Sequence, residues 1–228
     1  MVDLKREGPV FVLHWSEGEN RFQDESIRGW NAALDEVERA EGPKALVTTG
    51  AGKFYSNGLD LDWALRERKD SFPDYICEVL AIIGRVLTLP CTTVAAGNGH
   101  AFGAGALLFV AHDFRLMRAD RGFFCMPEID MRAFLHPGMT AVLAARLPAQ
   151  TAHEVIATGR RYGGGDARAA GIVEEALAEA ELLPRAFELA GSLAGKAHPV
   201  MKRLKSDLYP HVLAALSVRL VLGGGGDA

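Results

Sequence analysis

Two glycine-bearing turns are the segments here whose residue types and spacing suit catalysis. The turns are KFYSNGLDL, Lys53 to Leu61, and GNGHAFGAGALL, Gly97 to Leu108. In each, glycine lets the backbone approach a ligand closely. The second runs into an apolar stretch read as a helix, whose first N–H groups lack partners and carry partial positive charge. Two backbone N–H groups converging on one point make an oxyanion hole, which holds a carbonyl oxygen as it gains negative charge. Glu128 lies in CMPEIDM, and burial among such apolar neighbours raises a carboxyl pKa toward the range useful for proton transfer. A single glycine-rich turn is a common strand-to-helix connection, so the expectation rests on the pair.

Other chemistries fit less well. Gly97, Gly99, Gly103 and Gly105 do not match GxGxxG, and GKS or GKT is absent, which disfavours NAD and ATP. Cys77, Cys91 and Cys125 are odd in number and lack CxxC spacing, which favours reduced thiols in a cytosol-like compartment over disulfides or zinc. Asp60 reads as a helix N-cap rather than an acid. A net charge of -4 offers no basic field to nucleic acid. The first residues, MVDLKREGPVFVLHW, hold no apolar run suited to a signal peptide or membrane span. The final GGGGDA is not a peroxisomal tripeptide and is expected to be disordered.

The elements that must position these residues alternate. Strands are expected at Val10 to Trp15, Lys44 to Thr49, Thr92 to Ala96, Phe114 to Arg118 and Gly122 to Cys125. Helices are expected at Asp24 to Ala40, Ser71 to Leu89, Ala141 to Leu147, Thr151 to Ala157 and Ala167 to Ala170. This argues for an α/β fold with parallel strands, both turns lying at strand carboxyl ends, where such sheets bind ligands. From Ala176 onward the chain reads as helical, at Leu182 to Leu193, His198 to Leu208 and His211 to Leu222. The expected division is 1–175 as the core with the site and 176–228 as a C-terminal helical appendage.

SNGLDL after a strand, then NGHAFGAG with HDFRLM downstream, then FFCMPEIDM, then TGRRYGGGDARAAGIVEEAL, in this order and spacing, resemble the enoyl-CoA hydratase/isomerase (crotonase) superfamily over roughly residues 8 to 205. FYSNGLDLDWA and MPEIDM look most like the plant-type Δ3,Δ2-enoyl-CoA isomerases. The resemblance implies a crotonase-like core of stacked ββα units in a spiral, with a C-terminal helical trimerisation region. It implies a coenzyme A thioester as substrate, no separately bound cofactor, no metal, and a homotrimer or hexamer. The oxyanion-hole donors fall on the N–H groups of Leu59 and Ala104. Ser56, Asn57, Gly58, Asp60 and Gly103 fall in the turns that bind substrate and coenzyme A.

Hydratases of the family carry two glutamates; here the first position holds Leu107 and the second Glu128. One carboxylate suffices to move a double bond from C3 to C2, so isomerisation is expected, with Glu128 as the proton shuttle and Asp130 as the reserve acid. Hydration or other enolate chemistry such as decarboxylation or carbon-carbon cleavage, and a catalytically weak acyl-CoA-binding homologue, are the alternatives. His100 could pair with Ser56 as base and nucleophile, as in the Clp-type serine proteases related by fold, but GNGHAFGAGALL holds no serine. Phe54, Trp63, Phe72 and Phe134 are expected pocket walls or core, Arg132 and His136 could line the acyl pocket, and Lys202, Arg203 and Lys205 could meet coenzyme A phosphates. The cytoplasm is the expected location, with neither membrane nor nucleic acid as partner.

Overall fold

A computed structural model describes residues 1–219; the terminal glycines and the end of the helix expected at His211 to Leu222 lie outside it. The strands are β1 (Val2–Glu7), β2 (Val10–Trp15), β3 (Arg21–Phe22), β4 (Ala45–Gly50), β5 (Phe54–Ser56), β6 (Gly58–Leu59), β7 (Thr92–Gly97), β8 (His100–Phe102), β9 (Phe114–Arg118), β10 (Phe124–Cys125) and β11 (Glu175–Leu177). The helices are α1 (Asp24–Arg39), α2 (Leu61–Glu67), α3 (Phe72–Leu87), α4 (Ala104–Ala111), α5 (Glu128–Met131), α6 (Pro137–Arg146), α7 (Ala149–Thr158), α8 (Gly164–Ala169), α9 (Glu179–Leu193), α10 (Pro199–Leu208) and α11 (Pro210–Leu216).

A six-stranded sheet runs in the order β1-β2-β4-β7-β9-β11. It is parallel except at the β1–β2 edge. Parallel β5, β8 and β10 form a second sheet, and β3 pairs with β6. Each turn of the chain therefore sends one strand to the large sheet, one to a small sheet, and then a helix. This is the stacked ββα spiral of a crotonase-like fold.

Alternation along the strands fills both faces of the large sheet. Phe11, Leu13, Trp15 and Leu46 join the core beneath α1, α3 and α4. Val10, Ala45, Val47, Val94 and Leu116 pack under Leu182, Ala186 and Ala190 of α9.

One sequence expectation shifts. The division at 175/176 falls inside β11, which pairs with β9, and α9 covers the sheet. At the N-terminus, Val2 and Leu4 alternate with Asp3 and Lys5 along β1 and pack against the core. No helix among the described residues is long and apolar enough to cross a membrane.

Candidate functional site

The first turn is held by hydrogen bonds from residues distant in sequence. Buried Asn20 donates through Nδ2 to Phe54 O (3.0 Å) and Tyr55 O (3.2 Å). Ser56 Oγ donates to Asn20 O (2.7 Å) and accepts from Gly58 N (3.2 Å). Tyr75 Oη donates to Phe22 O (2.8 Å) and accepts from Asp60 N (3.0 Å); burial pushes this phenol well above its ordinary range, so it stays a donor. Asp60 is the N-cap of α2, accepting from Trp63 N at 3.1 Å. It also accepts from Gln23 Nε2 at 2.6 Å.

Gly58 needs to be glycine. Its φ is +77°, and a Cβ there would lie 2.7 Å from Phe102 O and 2.8 Å from Ala104 N. A Cβ on Gly105 would collide with Ser56 O. The two turns thus stack backbone against backbone, which brings β6 to the start of α4. Every residue of α4 is buried, as for a helix apolar all round. Its N-cap is Gly103, with φ +53°, and the Ala104 N–H belongs to the first turn, which has no intrahelical acceptor.

Opposite these turns, β10 delivers Glu128 at the start of α5. Its Oε2 is buried without a hydrogen-bond partner. Oε1 would sit 3.5 Å from a Cβ on Gly103. Burial pushes this carboxyl above the ordinary glutamate range, outweighing the lowering by the Glu128 backbone N–H. Arg21, Asn57, Leu59, Leu61, Phe102, Gly103, Ala104, Pro127, Glu128 and Met131 enclose a cavity of about 210 Å³. Glu128 is the one carboxylate among the described lining residues. An uncharged-to-charged acid beside backbone donors can move a proton next to a carbonyl and hold the resulting oxyanion.

Of the residues expected from sequence, Leu59, Ala104, Gly103, Asn57 and Glu128 line the cavity together, while Gly58 fixes its wall. Ser56 and Asp60 do not line it; their side chains hold the turn. Leu107 is buried in the core. Asp130 is exposed and faces Gly159, outside the cavity. His136 is a helix cap, accepting from Gly138 N at 2.9 Å and donating to Val218 O at 2.8 Å. His100 accepts from Phe123 N at 3.2 Å and does not bond Ser56. Phe54, Trp63, Phe72 and Phe134 are not cavity walls; the first three pack on neighbouring rings.

Lys205 is committed elsewhere, donating to Asp113 at 2.6 Å and to Cys91 O at 2.9 Å. Arg203 pairs with Asp207, and Lys202 lies 3.8 Å from Glu38. Arg21 was not legible: its Nη1 donates to Leu59 O at 3.1 Å and its Nε to Glu19 at 2.9 Å. Only the β3–β6 pairing brings it there. A larger groove, about 660 Å³, runs between the end of α1 and the α9–α10 connection. It includes neither turn, and its Lys44 is bonded to Glu38 O and Ala40 O. No cluster of three metal-ligating side chains occurs among the described residues.

The model of a family described as enoyl-CoA hydratase/isomerase matches residues 10–219. The peroxisomal enoyl-CoA delta isomerase 2 of Arabidopsis thaliana is 30% identical over 237 residues, covering 96% of this chain and 96% of that protein. Enoyl-CoA delta isomerase 3 of the same plant is 30% identical over 222 residues, with 93% of each covered. Among solved structures, the apo enoyl-CoA isomerase of Mycobacterium tuberculosis superposes with a TM-score of 0.86 at 24% identity, covering 94% of this chain and 93% of that one. At that identity the likeness concerns the fold.

Proposed function

The chain belongs to the enoyl-CoA hydratase/isomerase family, and on that footing we propose that it shifts the double bond of a 3-enoyl-CoA to the 2-position. The observation that carries this reading is the unpartnered, buried Oε2 of Glu128 in a cavity whose described lining has no other carboxylate. The thioester oxygen accepts from the Leu59 and Ala104 N–H groups, Glu128 removes a proton from C2, and the electron pair moves onto that oxygen as a dienolate. The same carboxyl then returns the proton to C4. Water addition requires a second group to orient and activate the water, and the helix position for it holds Leu107, buried in the core.

The backbone at Ser56 and Asn57 receives the adenine of coenzyme A, with Gly58 and Gly103 leaving room for the thioester and Asp60 holding the turn. The thioester is the substrate; no further cofactor enters the scheme. Three unpaired cysteines suit a reducing compartment such as the cytoplasm. Self-association, as a trimer or hexamer, is supported by α10, which buries no residue and carries Val200, Leu204 and Leu208 exposed at four-residue intervals.

The test is to incubate the protein with 3-hexenoyl-CoA and follow the 2-enoyl product, with 2-hexenoyl-CoA as the hydration arm. Isomerisation with little water addition is expected. Hydration without isomerisation, or tight acyl-CoA binding without turnover of any enoyl thioester, would overturn the assignment.

A further inference from the structure

Gly58 is required where the two turns stack, yet a glycine backbone is conformationally permissive. Gly58 alone therefore does not fix which way the peptide carrying the Leu59 N–H points, and that orientation has to be imposed from its flanks. Before the glycine, Asn57 is held twice by Glu19: its N–H donates to Glu19 O at 3.0 Å and its Nδ2 to Glu19 Oε2 at 2.7 Å. After it, the Leu59 carbonyl accepts from Arg21 Nη1 at 3.1 Å. Arg21 in turn presents Nε at 2.9 Å and Nη2 at 2.8 Å to the same Glu19 Oε2. One carboxylate oxygen thus ties both flanks of the glycine together.

Glu19 projects from an anchored backbone. Its neighbour Asn20, buried and at a left-handed φ of +54°, donates its N–H to Glu17 O at 2.7 Å and accepts from Glu17 N at 2.8 Å through Oδ1. The Asn57 amide and the Arg21 guanidinium hold the Glu19 carboxyl below the ordinary glutamate range, so it is charged at neutral pH. Arg21 and Asn57 line the Glu128 cavity, whereas Glu19 is not among its lining residues. The Arg21 and Glu19 side chains are 37% and 47% exposed, and ion pairs that open to water add little to overall stability. What this pair does is therefore local to the turn.

We propose that Glu19 and Arg21 are positioning residues for the oxyanion hole, a clamp that aims the Leu59 N–H into the cavity by fixing Asn57 and the Leu59 carbonyl on either side of Gly58. This rests on the oxyanion role given to Leu59 above. Without the clamp the peptide after Gly58 can turn, and the donor loses its aim while the cavity keeps its walls. The cost falls on the transition state, where charge on the thioester oxygen is greatest, rather than on ground-state binding.

The experiment takes two readouts in the unaltered protein, Glu19→Ala, Glu19→Gln, Arg21→Met and, as a control, Arg160→Met, which breaks an exposed pair with Glu154. One is kcat and KM for 3-hexenoyl-CoA. The other is the infrared band of the thioester carbonyl in bound, isotope-labelled hexanoyl-CoA, which moves to lower frequency when N–H groups polarise it. In Glu19→Ala, kcat should fall roughly 10 to 100-fold, less than the loss of a donor outright, with KM within about twofold, Tm unchanged and the band moved back toward its position in water. Arg21→Met should lower kcat and move the band in the same way. Glu19→Gln keeps an oxygen at that place and should recover part of the lost kcat, and Arg160→Met should change neither readout. A band shift retained in Glu19→Ala, a raised KM with kcat unchanged, or a fall in kcat matched by a fall in Tm overturns the clamp. So does an unshifted band in the unaltered protein, even where isomerisation is seen. If nothing is isomerised but the unaltered protein shifts the band and Glu19→Ala abolishes the shift, the isomerase reading falls and the clamp stands.

Discussion

Glu128 must be charged to take a proton, yet it sits where charge is disfavoured. Burial raises its pKa, which makes the carboxylate a stronger base once it forms and a ready acid once it has taken the proton. Activity should therefore rise with pH through an ionisation above the ordinary glutamate range, and a kcat/KM profile that shows no such limb would contradict a role for this carboxyl. Glu128→Gln keeps the shape and removes the ionisation, so turnover should fall by roughly 100 to 10,000-fold while acyl-CoA affinity in calorimetry stays near that of the unaltered protein. The same shift has a stability consequence. A carboxyl whose folded pKa exceeds its unfolded value stabilises the fold at low pH, and that contribution is lost as pH rises through the folded pKa. Thermal scans at neutral pH should accordingly give Glu128→Gln a higher Tm than the unaltered protein, with the gap closing in acid; a lower Tm at neutral pH would show that the buried Oε2 has a stabilising partner.

The elements around Glu128 act through the distance between two turns. Gly58→Ala would drive a methyl against Phe102 O and the Ala104 N–H, separating β6 from the start of α4. Loss of one oxyanion donor costs about 100 to 1,000-fold in rate, so kcat should drop by that order in Gly58→Ala. Gly165→Ala, where a Cβ would meet nothing within 4 Å, should leave kcat unchanged; equal behaviour of the two variants would refute the stacked-turn account. Longer elements were legible because their apolar spacing matched one period: β2 and β9 fall on the expected residues, and α1, α3 and β7 lie within two residues of expectation. The two-residue strands β3 and β6 are too short to show a period, and β11 is three residues beside an acidic run. That is why Glu128, Leu59 and Ala104 could be picked from motifs, whereas Arg21 and Tyr75, which bond the turn across 38 and 15 residues, could not. His112 shows the same limit. It is buried at the end of α4, and its Nδ1–H donates to Leu108 O. Thr48 Oγ1 of β4 donates to its Nε2 at 2.9 Å. Burial pushes its pKa down to about 4 from an ordinary 6.5. The unfolded chain binds this proton first, so stability should fall by roughly 3 kcal/mol as pH drops from about 6.5 to 4. His112→Gln should flatten that part of a denaturation-versus-pH curve.

At the scale of the molecule, α10 is the C-terminal helix that buries no residue of its own. α9 is consumed in covering the large sheet, and α11 buries Val212 and Leu216 in the main core. That leaves α10 bound to the body mainly through Lys205, which reaches Asp113 and the Cys91 carbonyl. The ion pair is partly buried, and it fixes which face of α10 turns inward. The opposite consequence is that Val200, Leu204 and Leu208 face outward together. An apolar stripe on a helix with no buried residue gains nothing from the monomer, and covering one leucine side chain is worth roughly 1.5 to 3 kcal/mol. A second copy offering an equivalent surface would cover that stripe. Leu204→Asp places a charge at its centre, where desolvation without a partner is unfavourable, and leaves the Lys205 pair in place. Light scattering of the unaltered protein should give a mass several times the 24.6 kDa of one chain. Leu204→Asp should shift it toward one chain, with the circular dichroism of the folded protein retained. A monomeric mass for the unaltered protein, or an assembly indifferent to Leu204→Asp, would mean that this face of α10 is not where copies meet.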